Sequence, residues 1–295
     1  MGHKHLTLPA AWAFLTVAAT SAPHALALPL GNEWQTPDFT EVSDDSLTAA
    51  GVDFSSTVAL SNCSGSLVRF NTSKADDKAL ILTNGHCYEG GFIKAGTAIV
   101  DRDSHRSFSL LNRNASGSLG TLRAEKVVYA TMTDTDVTLY RLTATYQEIQ
   151  SSFGVEPLTI ADKHPDAGDP IRIVSGYWRR IYSCSIDHFV NKLLEGGWTF
   201  RDSILFKQPG CNTIGGTSGS PLINADTHEV IGINNTINSG GERCSVNNPC
   251  EVDYEGHISA TTGAAYGQEL YQFYRCWGDA NQLDLDKPDC SLVKP

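Results

Sequence analysis

From Ser56 onward, short runs rich in Val, Ile, Leu, Tyr and Thr alternate with clusters of Gly, Asn, Asp and Ser. Runs of that length bounded by turn residues predict β-strands. The first series falls at Thr57–Leu60, Gly65–Phe70, Ala79–Thr83, Thr97–Val100, Phe108–Leu111, Glu125–Ala130 and Val137–Leu142. After a polar stretch, a second series falls at Leu158–Ile160, Ile171–Gly176, Arg180–Val190, Asp202–Lys207, Pro221–Asn224, Val230–Asn234, His257–Ala260 and Ala264–Tyr271. The spacing predicts an all-β protein of two units of similar size, residues 51–150 and 151–275, each a sandwich or barrel. Two segments are ambiguous: 144–150 reads as a linker helix or a loop, and Val190–Glu195 admits a short helical turn. The tail, 276–295, is polar and expected to be pinned by a local disulfide; no internal repeat is evident.

The first 27 residues read differently: Lys4, an apolar run from Leu6 to Ala22, then the small-x-small pattern Ala25-Leu26-Ala27. That is the layout of a secretory signal, and Pro9 and Pro23 leave too short an apolar run for the about 20 residues of a membrane span. Residues 28–50 lack periodicity and read as a pro-segment or N-terminal arm. A net charge of −11 argues against a nucleic-acid partner. The eight cysteines all follow the signal, as expected for disulfides in an oxidising compartment. No Cys-x-x-Cys occurs, which argues against zinc, and neither metal nor cofactor is expected. Sequence neighbourhood favours the pairs Cys63–Cys87, Cys184–Cys211, Cys244–Cys250 and Cys276–Cys290, of which the first is singled out because it would tether a histidine loop. An exported, monomeric protein is the expectation.

Candidate chemistry begins at Cys211-Asn-Thr-Ile-Gly-Gly-Thr-Ser-Gly-Ser-Pro-Leu222, where three glycines surround Ser218. Such a loop is either a turn or a nucleophile loop whose N–H groups face outward. A base is available in Ala79-Leu-Ile-Leu-Thr-Asn-Gly-His-Cys87, which places His86 where a buried strand gives way to a loop. The orienting carboxylate that a serine–histidine pair requires is best supplied by Asp136, at the head of the alternating run Asp-Val-Thr-Leu-Tyr-Arg-Leu142; Asp134 is its rival and reads as a turn residue.

Together these motifs resemble the serine endopeptidases of the chymotrypsin fold, over roughly residues 55–275. The order His86, Asp136, Ser218 matches, and Cys63-Ser-Gly-Ser-Leu67 and Gly168-Asp-Pro-Ile-Arg-Ile-Val-Ser-Gly176 resemble further segments of that family. The resemblance implies two packed antiparallel Greek-key β-barrels with the active site between them. It also implies an acyl-enzyme mechanism on protein or peptide substrates, an oxyanion hole from the N–H groups of Gly216 and Ser218, and proteinaceous inhibitors as further partners. Gly215-Gly-Thr-Ser-Gly-Ser-Pro-Leu222 with Val230-Ile-Gly-Ile233 is similar to the bacterial glutamyl endopeptidases. Where the digestive enzymes carry an aspartate that pairs with a new N-terminus, this chain has Thr217.

For the primary specificity pocket the resemblance points to Thr213, Asn234 and Asn235; Asn234 stands where the glutamyl endopeptidases have a histidine. An uncharged amide there weakens an acidic preference, and Asp253 is considered as a pocket base favouring Lys or Arg, against a reading as a solvated loop charge. Two other classes compete. An α/β-hydrolase would need Gly-x-Ser-x-Gly before a helix, whereas Ser220 and Pro221 follow here. An inactive homologue acting as a secreted binding protein is the remaining alternative.

Overall fold

The computed structural model describes Gly2 and residues 52–295; the expected signal (apart from Gly2) and pro-segment lie outside the described residues. Strands β1 (Thr57–Ala59), β2 (Ser64–Arg69), β3 (Lys78–Thr83), β4 (Ala98–Asp103), β5 (Ser107–Leu111), β6 (Ser118–Thr131) and β7 (Val137–Thr145) build the first sheet. Its ring runs β1-β2-β3-β7-β6-β5 and closes by the β1–β5 pairing, with β4 added on β6. The second contains β9 (Pro170–Ser175), β10 (Arg180–Glu195), β11 (Trp198–Phe206), β12 (Pro221–Asn224), β13 (Val230–Ile237), β14 (Cys250–Val252), β15 (Ile258–Ser259) and β16 (Ala265–Glu269). Here the ring runs β9-β10-β11-β16-β13-β12 and closes by the β12–β9 pairing. The two rings share one order, with the last strand beside the third, so the protein has the all-β, two-barrel chymotrypsin-like architecture expected. The repeat is one of topology, which is why no sequence repeat announces it.

Strand β3 shows how the pattern becomes structure. Ala79 and Ile81 enter one buried cluster with Leu67, Phe108 and Tyr140, while Leu80 and Leu82 enter another with Val68, Val174 and Ile233. Side chains alternate across a strand, so a continuous apolar run is what a strand buried on both faces requires. Each of the Leu, Ile, Val and Phe side chains among them contributes about 1.5–3 kcal/mol by leaving water. Both clusters take residues from both barrels, Val190, Leu193 and Phe200 joining the first and Val174, Ile223 and Ile233 the second, so the seam holding the barrels together runs through both.

Four readings are corrected or completed. Helix α1 (Tyr146–Phe153) resolves the ambiguity at 144–150: Thr145 and Glu148 form a capping box, and Gly154 closes the helix in the left-handed region. Val190–Glu195 holds no helical turn; it continues β10, because pairing with both β11 and β14 overrides local propensity. Leu158–Thr159, read with the second series, is β8 and pairs in parallel with β2 of the first sheet. The tail is more than pinned: α2 (Phe273–Cys276) follows β16, Trp277 stacks on Phe70 with ring centroids 3.9 Å apart, and the Val293 carbonyl accepts from the Tyr129 hydroxyl at 3.0 Å. All four favoured cysteine pairs are bonded. Among the described residues, no helix is long and apolar enough to cross a membrane.

Candidate active site

His86 lies in a single 3-10 turn, Gly85–Cys87, that ends β3. Three constraints hold it. The Cys63–Cys87 disulfide ties the turn to the residue just ahead of β2, the Arg106 guanidinium donates to the Cys87 carbonyl, and the Asn84 side chain donates to the Asp136 carbonyl at 2.8 Å. Gly85 is needed for close approach, since a Cβ there would meet the Thr131 carbonyl oxygen at 2.0 Å and Asp136 Oδ1 at 2.8 Å.

Asp136 precedes β7 and is buried. Its Oδ1 accepts from the His86 backbone N–H at 2.9 Å and its Oδ2 from His86 Nδ1 at 2.7 Å. With the Nδ1 proton engaged, the lone pair of the neutral ring sits on Nε2. Burial lowers the imidazole pKa, but the charge and hydrogen bond of Asp136, with a further contribution from Glu195, outweigh it and raise the value above that of a free histidine. Asp134, the rival carboxylate, is half-exposed and bonded through Oδ1 to Arg201 Nε at 2.8 Å. It holds the two barrels in register instead, since its N–H donates to Thr199 and its carbonyl accepts from Arg201.

Ser218 is half-buried at the end of the glycine loop, just before β12. Its hydroxyl donates to the Asn235 carbonyl at 3.3 Å, and Asn235 lines the same cavity as His86 and Asp136. The structure thus joins His86 to Asp136 directly, and links Ser218 to the backbone of Asn235, one of the residues lining their cavity. Two bonds from Ser64 fix the loop from the first barrel: its N–H donates to the Ser218 carbonyl at 2.8 Å and its Oγ to the Gly216 carbonyl at 3.4 Å, while Thr83 Oγ1 donates to the Ser64 carbonyl at 2.8 Å. Gly219 permits this, with φ of +81° and a would-be Cβ only 2.1 Å from the Ser64 carbonyl oxygen.

Among the described residues, no backbone carbonyl accepts from the N–H of Gly216 or Ser218. Trp178 Nε1 donates to the Gly215 carbonyl at 2.8 Å, and because a trans peptide points C=O and N–H in opposite directions, this bond also sets where Gly216 N–H points. Trp178, which the sequence did not announce, thus orients the Gly215–Gly216 peptide. Thr217 is buried and accepts from Ile214 N–H at 3.3 Å, a turn bond with no charge partner.

Of the specificity candidates, Thr213, Asn234 and Asn235 are buried. Asn234 has an unpartnered Oδ1 and Asn235 an unpartnered Nδ2. Asp253 corrects the pocket-base reading. It is exposed, its Oδ2 accepts from His257 Nδ1 at 2.9 Å, and that bond lowers its pKa, as befits a solvated loop charge.

Glu195 was not anticipated. At the end of β10 it is 6% exposed and lines the same cavity as His86 and Asp136, and its Oε1 accepts from Thr236 Oγ1 at 3.0 Å and from Asn247 N–H at 2.7 Å. Burial pushes its carboxyl up to about 7, only partly offset by those hydrogen bonds. A carboxyl whose folded value exceeds its unfolded value of 4.5 adds stability below pH 4.5 that is lost as pH rises to about 7. Glu195→Gln, which keeps the acceptor, is therefore expected to match the parent at pH 4 and to exceed it by up to about 3 kcal/mol at pH 8, by urea denaturation. Equal differences at both pH values would show that Glu195 does not titrate in this range.

A family model for the trypsin-like peptidase domain matches residues 63–233, which include His86, Asp136 and Ser218. No curated protein matches the sequence significantly. Among solved structures, a protease of M. tuberculosis in its active form is 12% identical with a TM-score of 0.45, over 93% of this chain and 95% of that one. The MamO protease domain of Magnetospirillum magneticum is 12% identical with a TM-score of 0.44, over 72% and 91%. A Glu endopeptidase in complex with MPD is 14% identical with a TM-score of 0.41, over 80% and 92%. With more than half its length matched by that family model, the chain belongs to the trypsin-like peptidase domain family.

Proposed function

We propose that this protein is a secreted serine endopeptidase working through Ser218, His86 and Asp136. One observation carries the reading: a buried 2.7 Å His86–Asp136 bond leaves Nε2 as the free base of a cleft shared with Asn235, the residue whose carbonyl receives the Ser218 hydroxyl. Turning away from that carbonyl, Ser218 Oγ attacks the peptide carbonyl as His86 Nε2 takes its proton. The imidazolium is stabilised by Asp136 and returns the proton to the leaving amine. The N–H groups of Gly216 and Ser218 receive the oxyanion, and water then releases the acyl group by the reverse sequence. The four disulfides accord with export to an oxidising compartment.

For the primary pocket we retain Thr213, Asn234 and Asn235. None bears a charge, and Asp253 is outside the argument. Incubation with a library of unstructured peptides, read by mass spectrometry, should show endoproteolytic cleavage after neutral residues, and none by fluorophosphonate-treated protein. Strong selection for Glu, Lys or Arg would overturn the specificity. No cleavage at all would favour the inactive, binding homologue.

A further inference from the structure

We infer that His164, Asp202 and Glu269 form a binding site for a divalent cation of the zinc class, on the second barrel and separate from the peptidase cleft. The three come from different segments: the connection between β8 and β9, the interior of β11, and the end of β16. His164 Nε2 lies 3.5 Å from Asp202 Oδ2 and 3.1 Å from Glu269 Oε1, and all three ligand atoms fall within 4.8 Å of one another. Ligands held about 2.0–2.2 Å from a tetrahedral ion stand about 3.3–3.6 Å apart, so the spacing needs little adjustment.

The donor chemistry fits a cation better than a proton on the ring. His164 Nδ1 engages the Pro165 carbonyl at 2.5 Å, the outer-shell bond that turns the Nε2 lone pair toward a metal. A proton on Nε2 would not serve Glu269: at 3.1 Å its Oε1 is still without a hydrogen bond, so the ring N–H direction misses it. Glu269 is 2% exposed, and a buried carboxylate oxygen with no donor is costly. Asp202, whose backbone is left-handed at φ +51°, adds to that cost, because it turns a second carboxylate toward the same imidazole nitrogen. Two neighbouring carboxylates repel unless something positive lies between them.

Asp202 and Glu269 also line a cavity with Gln272, whose Oε1 is a second buried acceptor without a partner. The cavity gives a hydrated ion an entry path. Its two arginines are engaged elsewhere, Arg201 with Asp134 and Arg275 over the Tyr271 ring. Phe189 and Tyr271 flank the His164 ring with centroids 4.3 and 5.3 Å away, holding its plane. One imidazole with two carboxylates suits zinc-class ions, whereas calcium prefers an all-oxygen shell. The absence of Cys-x-x-Cys excluded only cysteine-based zinc sites.

The test is zinc titration of chelator-stripped protein by calorimetry, with bound metal counted by mass spectrometry after dialysis. One equivalent is expected, with a rise in Tm of about 5–10 °C at 100 times Kd. His164→Gln, at a partly exposed position, and Asp202→Asn should each lose both the equivalent and the shift while melting unchanged when stripped. Glu269→Gln should lose the metal yet melt no lower than the stripped parent, since it removes the buried carboxyl. His257→Gln, in the exposed Asp253–Glu255–His257 group, should retain the equivalent. Absence of stoichiometric zinc, as when Asp202 and Glu269 simply share a proton, would overturn the inference. So would tighter binding of calcium, or an equivalent that survives His164→Gln and disappears in His257→Gln.

Discussion

Ser218→Ala is expected to lower kcat on a peptide substrate by about 10⁶-fold, abolish labelling by a fluorophosphonate, and leave Tm nearly unchanged. The chemical loss is large because Ser218 Oγ is the proposed nucleophile and nothing else in the loop replaces it. The structural loss is small because the hydroxyl is half-buried and makes one bond, of 3.3 Å, to the Asn235 carbonyl. His86→Ala should fall about as far, and the double variant no further, since a base without a nucleophile has nothing to activate. The residual rate would come from the N–H groups of Gly216 and Ser218 and from substrate binding. Wild-type labelling or turnover in Ser218→Ala would place the nucleophile elsewhere.

Asp136→Asn should cost about 10⁴-fold in kcat, whereas Asp134→Asn should change it by less than about threefold. In the parent, both oxygens of Asp136 accept from His86, one from the backbone N–H and one from Nδ1. An amide can keep its oxygen on the backbone N–H, but its nitrogen then faces the ring and donates. The imidazole must answer with a lone pair on Nδ1, which moves the proton to Nε2 and removes the base. Asp134 touches neither histidine nor serine; its loss releases Arg201 on the surface of the seam, an exposed pair worth about 0.2–1 kcal/mol. The reverse ranking of the two variants would transfer the orienting role to Asp134.

His86, Asp136 and Ser218 could be named from the chain because each sits at the edge of a short-range pattern. An apolar run ends at Asn84-Gly85, an alternating run begins at Val137, and glycines crowd Ser218. Strand periodicity and turn chemistry are local properties, so β3, β7 and β12 were found within a residue or a few of their ends. Disulfides between neighbours are local in the same sense. Glu195, His164, Asp202 and Glu269 carry no such signature. Glu195 lay in a stretch that admitted a helical turn, and it is buried only because β10 runs on to pair with β11 and places its last residue behind His86 and Asp136. Asp253, by contrast, carried the charge a specificity pocket could use, yet the β14–β15 hairpin leaves it facing water. Whether a carboxylate is solvated, protonated or ready for a cation depends on what the rest of the chain brings within a few ångströms of it. Desolvation and Coulomb interactions act through space, and residues distant in sequence meet only after both barrels have closed.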